Sequence, residues 1–241
     1  MNLQDYKDLK PSNVLGIAAH PDDLDFGSSG TMAYFAKNGA KVHYLILTDG
    51  SKGTEDKNLP PAKLSKIREN EQKKALKILG GQTVTFLRYP DGQLEVNMNL
   101  KKEVVKVIRK IKPDLIVTMD PSMLYSAERG FINHPDHRAT GQIVLDAVYP
   151  LARDHLSFPE LFEAGYKPHK TKTVLLTNFD KANFYVDISA TFDLKIKALE
   201  AHASQVPNIK EAELWLKKNA QKAGQNCGYK LAESFVRIDL R

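Results

Sequence analysis

Val14-Leu15-Gly16-Ile17-Ala18-Ala19 runs directly into His20-Pro21-Asp22-Asp23. A short apolar run bounded by a polar turn reads as a strand buried on both faces of a parallel sheet. The turn leads through Gly27-Ser28-Ser29-Gly30-Thr31 to a helical stretch over 32–37. An imidazole and two carboxylates therefore stand at the carboxyl edge of a strand, where open α/β sheets bind their ligands.

The same alternation continues outward. Residues 41–48 read as a second strand, ended by Asp49-Gly50-Ser51, and 61–79 as a helix stopped by Gly80-Gly81. A third strand follows at 83–87, then the turn Pro90-Asp91-Gly92 and a helix over 100–111 with Val104, Val105 and Ile108 facing inward. Residues 114–119 form a fourth strand, 120–136 a loop without periodicity, and 138–148 a further helix. Strands at 173–177, 184–188 and 235–238 and helices at 191–203 and 209–223 complete the reading. Alternating strands and helices with short linkers imply a Rossmann-like α/β fold, a mostly parallel sheet with helices on both faces. One domain is expected over 1–241, with a core at about 12–150 and a portion 151–241 that completes the sheet and covers the site. The stretch 150–172, rich in Pro, His and aromatics, is expected as a lid or lobe over it.

Composition narrows the function. The 241 residues, 42% hydrophobic and 27% charged, suffice for one substantial core. The net charge of +6 comes from lysines on amphipathic helices, and no basic stretch is interleaved with aromatics, which argues against a nucleic-acid partner. Cys227 is the only cysteine, which excludes an internal disulfide and a cysteine-based zinc site. The first residues lack the apolar core of a signal peptide, and no stretch approaches the ~20 apolar residues that cross a bilayer. A cytoplasmic protein without membrane insertion is expected.

A second cluster, His134-Pro135-Asp136-His137, follows the fourth strand and its loop. Two imidazoles and a carboxylate from separate loops make a three-ligand metal site with a position left for water. His20 and Asp23, three apart around a tight turn, can share one ion, and an imidazole from the second cluster completes the set. Asp22 then points elsewhere as a base, and an imidazole can hand a proton to a leaving group, which is hydrolase chemistry. Three other readings compete. A His-Pro-Asp turn also suits a helix N-cap. Two His and one carboxylate also form the triad of a non-haem iron oxygenase, though such enzymes usually carry His-x-Asp on a β-barrel. Gly27 and Gly30 invite a metal-free nucleotide- or sugar-binding module, but the full glycine fingerprint is missing.

Ala19-His20-Pro21-Asp22-Asp23 with Gly27 and Gly30 resembles the signature of the LmbE-like deacetylases, the PIG-L family. Arg68-Glu69-Asn70-Glu71 with Ala75 and Gly80 resembles the family's Arg-x-x-Glu helix, and His134 to Ala139 its second signature. Lys197-Ala198-Leu199 with His202 to Gln205 resembles its C-terminal helix. The resemblance implies a metal-dependent hydrolase that removes an acyl group, usually acetyl, from N-acetylglucosamine units and related amides. It implies that His20, Asp23 and His137 bind one Zn²⁺ per chain, with Fe²⁺ as the alternative, and that Asp22 is the general base. His134 would be the acid or charge-stabilising imidazole, oriented by Asp136. Arg68 would lie near the site and hold loop carboxylates or the substrate. Leu24 stands where many members carry Glu, with Asp25 following. Tyr125 and Tyr166 are the candidates for the family's oxyanion-stabilising tyrosine. The implied partner is a small N-acyl amino sugar or conjugate, and assembly into a homo-oligomer occurs in the family.

Overall fold

The computed structural model of the protein describes residues 5–127, 130–178 and 180–241. The apolar run forms β1 (Asn13–Ala18), and the turn after it opens α1 (Asp23–Gly27) and α2 (Ser29–Lys37). Then come β2 (Lys41–Thr48), α3 (Pro61–Ile78), β3 (Thr83–Tyr89), α4 (Met98–Ile111) and β4 (Leu115–Met119). The loop read as featureless holds a small antiparallel hairpin, β5 (Tyr125–Ser126) and β6 (Phe131–Ile132), and ends in α5 (Pro135–Asp146). The rest forms α6 (Pro159–Glu163), β7 (Thr173–Thr177), β8 (Phe184–Asp187), α7 (Phe192–Glu200), α8 (Ile209–Gln225) and β9 (Ala232–Asp239).

Seven strands make one sheet in the order β3-β2-β1-β4-β7-β9-β8. The first five of these are mutually parallel, and β9 runs antiparallel to both β7 and β8. This is the mostly parallel, Rossmann-like sheet that the alternation predicts. β1 lies between β2 and β4, with Val14 opposite Val42 and Leu115. Side chains of a strand alternate between faces, so Val14 and Ala18 enter the core under α2, α3, α7 and α8. Leu15, Ile17 and Ala19 enter the core under α4, α5 and α6. Both faces are covered, which is why β1 is apolar from Val14 onward.

The chain leaves β1 toward β2 on one side and returns from β3 to β4 on the other. The carboxyl ends of β1 and β4 are therefore the switch point at which such sheets bind ligands. Gly30 has a packing role: a Cβ there would stand 2.8 Å from Ile188 Cγ2, so glycine lets α2 close onto the residue that follows β8. A Cβ at Gly141 would stand 2.5 Å from the carbonyl oxygen of Met119, so glycine likewise lets α5 press against the end of β4. Gly30 of the first motif thus serves contact between elements.

The stretch 150–172 does not cover the site. Helix α5 starts at the carboxyl edge, and its 12 residues carry the chain about 18 Å toward the amino edge. There the buried Arg109 of α4 donates to the carbonyls of Leu151, Ala152, Asp154 and Ser157 at 2.8–3.2 Å. His169 Nε2 donates to the carbonyl of Pro113, just before β4, at 2.8 Å. This segment closes the bottom of the sheet. Phe131 of the β5–β6 hairpin and Trp215 of α8 stand beside Asp23 and His137 instead. Among the described residues no helix is long and apolar enough to cross a membrane.

Candidate functional site

The strand β1 ends one residue before Ala19, and the tight turn that follows folds Asp23 back on His20. Asp23 Oδ2 accepts the backbone N–H of His20 at 2.7 Å and lies 3.3 Å from His20 Nδ1. The N-terminus of α5 brings His137 from the other side of the switch point. Its Nε2 stands 3.1 Å from Asp23 Oδ1 and 3.3 Å from His20 Nδ1. Donors held about 2.0–2.2 Å from a tetrahedral ion stand roughly 3.3–3.6 Å apart. The three side chains fit a divalent ion of that kind.

The far side of each imidazole supports this fit. His20 Nε2 faces Asp91 Oδ1 at 3.1 Å and Asp136 Oδ2 at 3.3 Å, so its proton goes to these carboxylates and Nδ1 keeps a lone pair for an ion. His137 Nδ1 faces Asn133 Oδ1 at 3.1 Å, which leaves Nε2 free in the same way. Such outer partners fix the tautomer and orientation of metal-binding histidines. Two groups of potential donors meet here, His20 with His134 and His137, and His20 with Asp91 and Asp136. The second group is support. Asp136 accepts the backbone N–H groups of Gly92 at 2.7 Å and Leu94 at 3.1 Å, and Asp91 accepts that of Lys52 at 2.9 Å.

The charges balance within the cluster. Burial works against a charged His20, but Asp23, Asp136 and Asp91 outweigh it and push the imidazole up to about 12. Burial likewise works against a charged Asp23, yet His137 and His20 hold that carboxyl well below the usual range. The site is a nest of carboxylates that wants a cation, either protons or a metal ion.

Asp22 has φ +103° and ψ −31°, a backbone conformation that non-glycine residues rarely adopt. Such outliers persist only where the surroundings enforce them, and they cluster at functional sites. The enforcement comes from α3, where Arg68 and Gln72, one turn apart, share a face. Gln72 Oε1 accepts the Asp22 N–H at 2.9 Å. Arg68, only 4% exposed, donates to the carbonyls of Pro21 at 2.7 Å and Gly50 at 2.8 Å, and to Asp22 Oδ2 at 3.2 Å. Of the two roles the sequence left open for Arg68, these bonds favour holding the turn and Asp22 over touching substrate. Burial and the neighbouring Asp23 push the Asp22 carboxyl up to about 7, with Arg68 pulling the other way. Asp25 is fully buried, bonded to Gln72 Nε2 at 2.6 Å and His202 Nε2 at 2.9 Å, and so belongs to the floor beneath the turn.

His134 caps α5, and its Nδ1 accepts the backbone N–H of Asp136 at 3.2 Å. That bond places the ring proton on Nε2. Burial, followed by the neighbouring His20 and His137, lowers the pKa of this ring, so it is a neutral hydrogen-bond donor. Its ring centroid is 4.8 Å from that of His20 and 5.3 Å from that of His137. The expected pairing of His134 with the Asp136 carboxylate is not what the structure has. As the second residue of α5, Asp136 turns its side chain to the loop after β3 and to His20.

A cleft of about 230 Å³ opens beside Asp23 and His137, walled by Phe26, Met123, Phe131 and Trp215. Neither Tyr125 nor Tyr166 lines it. Tyr125 projects from the hairpin, 65% exposed, and Tyr166 is half-buried against the core under α4 with Lys106 over its ring. A larger cavity, about 500 Å³, lies at the amino edge among Lys7, Lys10 and Lys41, away from these groups. Sequence reasoning missed Asp91, Gln72 and Asn133. Asp91 lies in a Pro-Asp-Gly turn, and only its place at the carboxyl end of β3 marks it.

The profile of the PIG-L family, described as GlcNAc-PI de-N-acetylase, matches residues 15–148. A diacetylchitobiose deacetylase of Thermococcus kodakarensis is 35% identical over 236 residues, covering 95% of this chain and 85% of its own. A probable N-acetyl-α-D-glucosaminyl L-malate deacetylase of Bacillus anthracis is 28% identical over 204 residues, covering 80% and 81%. The N,N'-diacetylchitobiose deacetylase of Pyrococcus horikoshii, solved with an inhibitor, superposes with a TM-score of 0.89 at 30% identity, over 99% of this chain and 87% of that one. The matched residues include both His-Pro-Asp turns and the α3 face that braces the first, and the chain belongs to the PIG-L family.

Proposed function

We propose that the protein is a zinc-dependent N-deacetylase that hydrolyses the acetamide of an N-acetylglucosamine-type sugar or conjugate. The observation that carries the reading is the convergence of His20 Nδ1, His137 Nε2 and the Asp23 carboxylate within 3.1–3.3 Å of one another, each imidazole backed on its far side. Zinc there supplies Lewis acidity and brings the pKa of water down to about 7.

The remaining chemistry belongs to side chains. Asp22 takes a proton from the attacking water as its oxygen bonds to the acyl carbon. His134 Nε2–H donates to the carbonyl oxygen as that atom becomes anionic. When the C–N bond breaks, Asp22 returns its proton to the amine, so water's hydroxyl ends on acetate and its proton on the amino sugar. Arg68 and Gln72 hold Asp22 in place.

The oxygenase and the metal-free binding readings are not favoured. The relatives are named as deacetylases, and a metal-free module has no use for imidazoles held in this way. A cytoplasmic location and assembly of the chain into a homo-oligomer accompany the proposal. The test is acetate release by the zinc-loaded protein from N-acetylglucosamine, N,N'-diacetylchitobiose and an N-acetylglucosaminyl malate. Release from at least one, abolished by a chelator, supports the reading. No release from any by protein carrying one zinc per chain overturns it.

Two substitutions probe the supporting groups. Asp91→Ala is expected to weaken zinc binding about 10- to 100-fold, as loss of an outer carboxylate does elsewhere. A competition titration against a chelating dye reads this, and an unchanged affinity would detach Asp91 from the centre. His134→Ala is expected to lower kcat about 10²–10³-fold with zinc content intact, the usual cost of one oxyanion donor. A kcat within a few-fold of the parent enzyme would assign that donor elsewhere.

A further inference from the structure

We infer that His202 is a positioning residue: it reaches the general base Asp22 through Asp25 and Gln72, and sets the backbone twist that aims the base's carboxylate. The inference rests on the deacetylase reading and adds a residue to it. His202 lies outside residues 15–148, which the family profile matches, and the mechanism assigns it no task.

Three hydrogen bonds join the two residues. His202 follows α7, and its Nε2 donates to Asp25 Oδ2 at 2.9 Å. The same oxygen accepts from Gln72 Nε2 at 2.6 Å, and Gln72 Oε1 accepts the backbone N–H of Asp22 at 2.9 Å. His202, Asp25 and Gln72 are all 0% exposed, so bulk water does not compete for these bonds.

The chemistry of the links gives the chain its direction. A carboxylate only accepts, so Gln72 turns its NH2 to Asp25 and its oxygen to Asp22. Asp25 is itself fixed by two donors on one oxygen. Without the imidazole it is held by a single side-chain donor and turns more freely, and the Gln72 amide turns with it. The Asp22 N–H then loses the acceptor that holds φ at +103°, a twist that persists only where the surroundings enforce it.

The ring of His202 has this one hydrogen bond. Its Nδ1 is buried without a partner among the described residues, and an apolar side chain would fill the space without that cost. The backbone around it is held by other bonds. Ser204 donates from N–H and Oγ–H to the two oxygens of Glu71, next to Gln72 on α3, at 2.9 and 2.6 Å. Gln205 Nε2 donates to the carbonyl of Gly53 at 3.0 Å. A substitution at 202 therefore changes the bond to Asp25 and leaves the turn 202–205 anchored.

His202→Asn and His202→Gln separate reach from burial. The amide nitrogen of Gln stands as far along the side chain as Nε2 and can still donate to Asp25, whereas that of Asn falls short. In the zinc-loaded protein, His202→Asn is expected to lower kcat for acetate release about 10- to 100-fold, the scale of loss for a base displaced by about 1 Å. KM and zinc content should stay as they are, and His202→Gln should keep kcat within a few-fold of the parent enzyme. A histidine that merely stabilises the fold costs the same factor whatever stands at 22. One that acts through Asp22 costs little once the base is gone, so adding His202→Asn to Asp22→Asn should slow that enzyme no more than a few-fold. A crystal structure of zinc-loaded His202→Asn should show Asp22 moved away from φ +103°. If that variant does not fold, Gln72→Met breaks the chain at its last link and is expected to give the same loss of kcat and the same displacement of Asp22. A kcat within a few-fold of the parent enzyme, His202→Gln as slow as His202→Asn, an equal loss in both backgrounds, or an unmoved Asp22 overturns the inference and leaves the deacetylase reading standing. A displaced Asp22 in the variant, with no acetate released from any compound by the parent protein, upholds the positioning chain and overturns the deacetylase reading instead.

Discussion

His137→Ala is expected to lose its bound ion on dialysis and to release acetate more than about 100-fold more slowly than the parent enzyme at limiting zinc. The expectation follows from the ligand set. Removing an outer partner alone costs 10- to 100-fold in metal affinity, and His137 supplies one of three donors directly. Its loss also leaves Asp23 beside a single imidazole. His20→Ala should behave alike. His43→Ala is the control, since that ring lies on β2 against Thr83 at 2.8 Å, outside the cluster. Elemental analysis of the dialysed proteins reads the outcome, and one zinc per chain in His137→Ala would remove it from the centre.

Asp22→Asn is expected to keep its zinc and its fold while losing about 10²–10⁴ of kcat, the usual contribution of a positioned general base. The substitution is a fair test because Asn tolerates positive φ as well as Asp does, so the turn has no new strain. The Asp22 N–H still reaches Gln72, and an amide oxygen can still accept from Arg68. What disappears is the capacity to take a proton. Turnover within a few-fold of the parent enzyme in zinc-loaded Asp22→Asn would move the base elsewhere, and the fully buried Asp25 offers no replacement that touches substrate.

Much of this architecture is legible in the sequence because its signals are local. The apolar run into His20-Pro21-Asp22-Asp23 contains the strand, the turn and two of the three donors within ten residues. His134-Pro135-Asp136-His137 reads as the second half because Pro at the first turn and a capping residue before it mark a helix start. Partnerships across the fold are less legible. Asp136 adjoins His134 in the chain, yet its carboxylate meets His20, because the start of a helix points successive side chains in different directions. Asp91 looks like an ordinary turn residue until β3 is laid beside β2 and its end comes level with that of β1. The insertion of β9 between β7 and β8 depends on pairing across some fifty residues, which no local pattern encodes. The stretch 150–172 misleads for a related reason. Its aromatic content suggests a lid, but the length of α5 delivers it to the opposite edge of the sheet.

The most direct test is a zinc titration of the metal-free protein with acetate release from N,N'-diacetylchitobiose as the readout. The chelator-treated protein should be inactive, and the rate should rise in proportion to added zinc and break at one equivalent per chain. The same titration of His20→Ala should show no break. Acetate released at full rate by the metal-free protein, or none released by protein holding one zinc per chain, would contradict a metal-dependent N-deacetylase built on His20, Asp23 and His137.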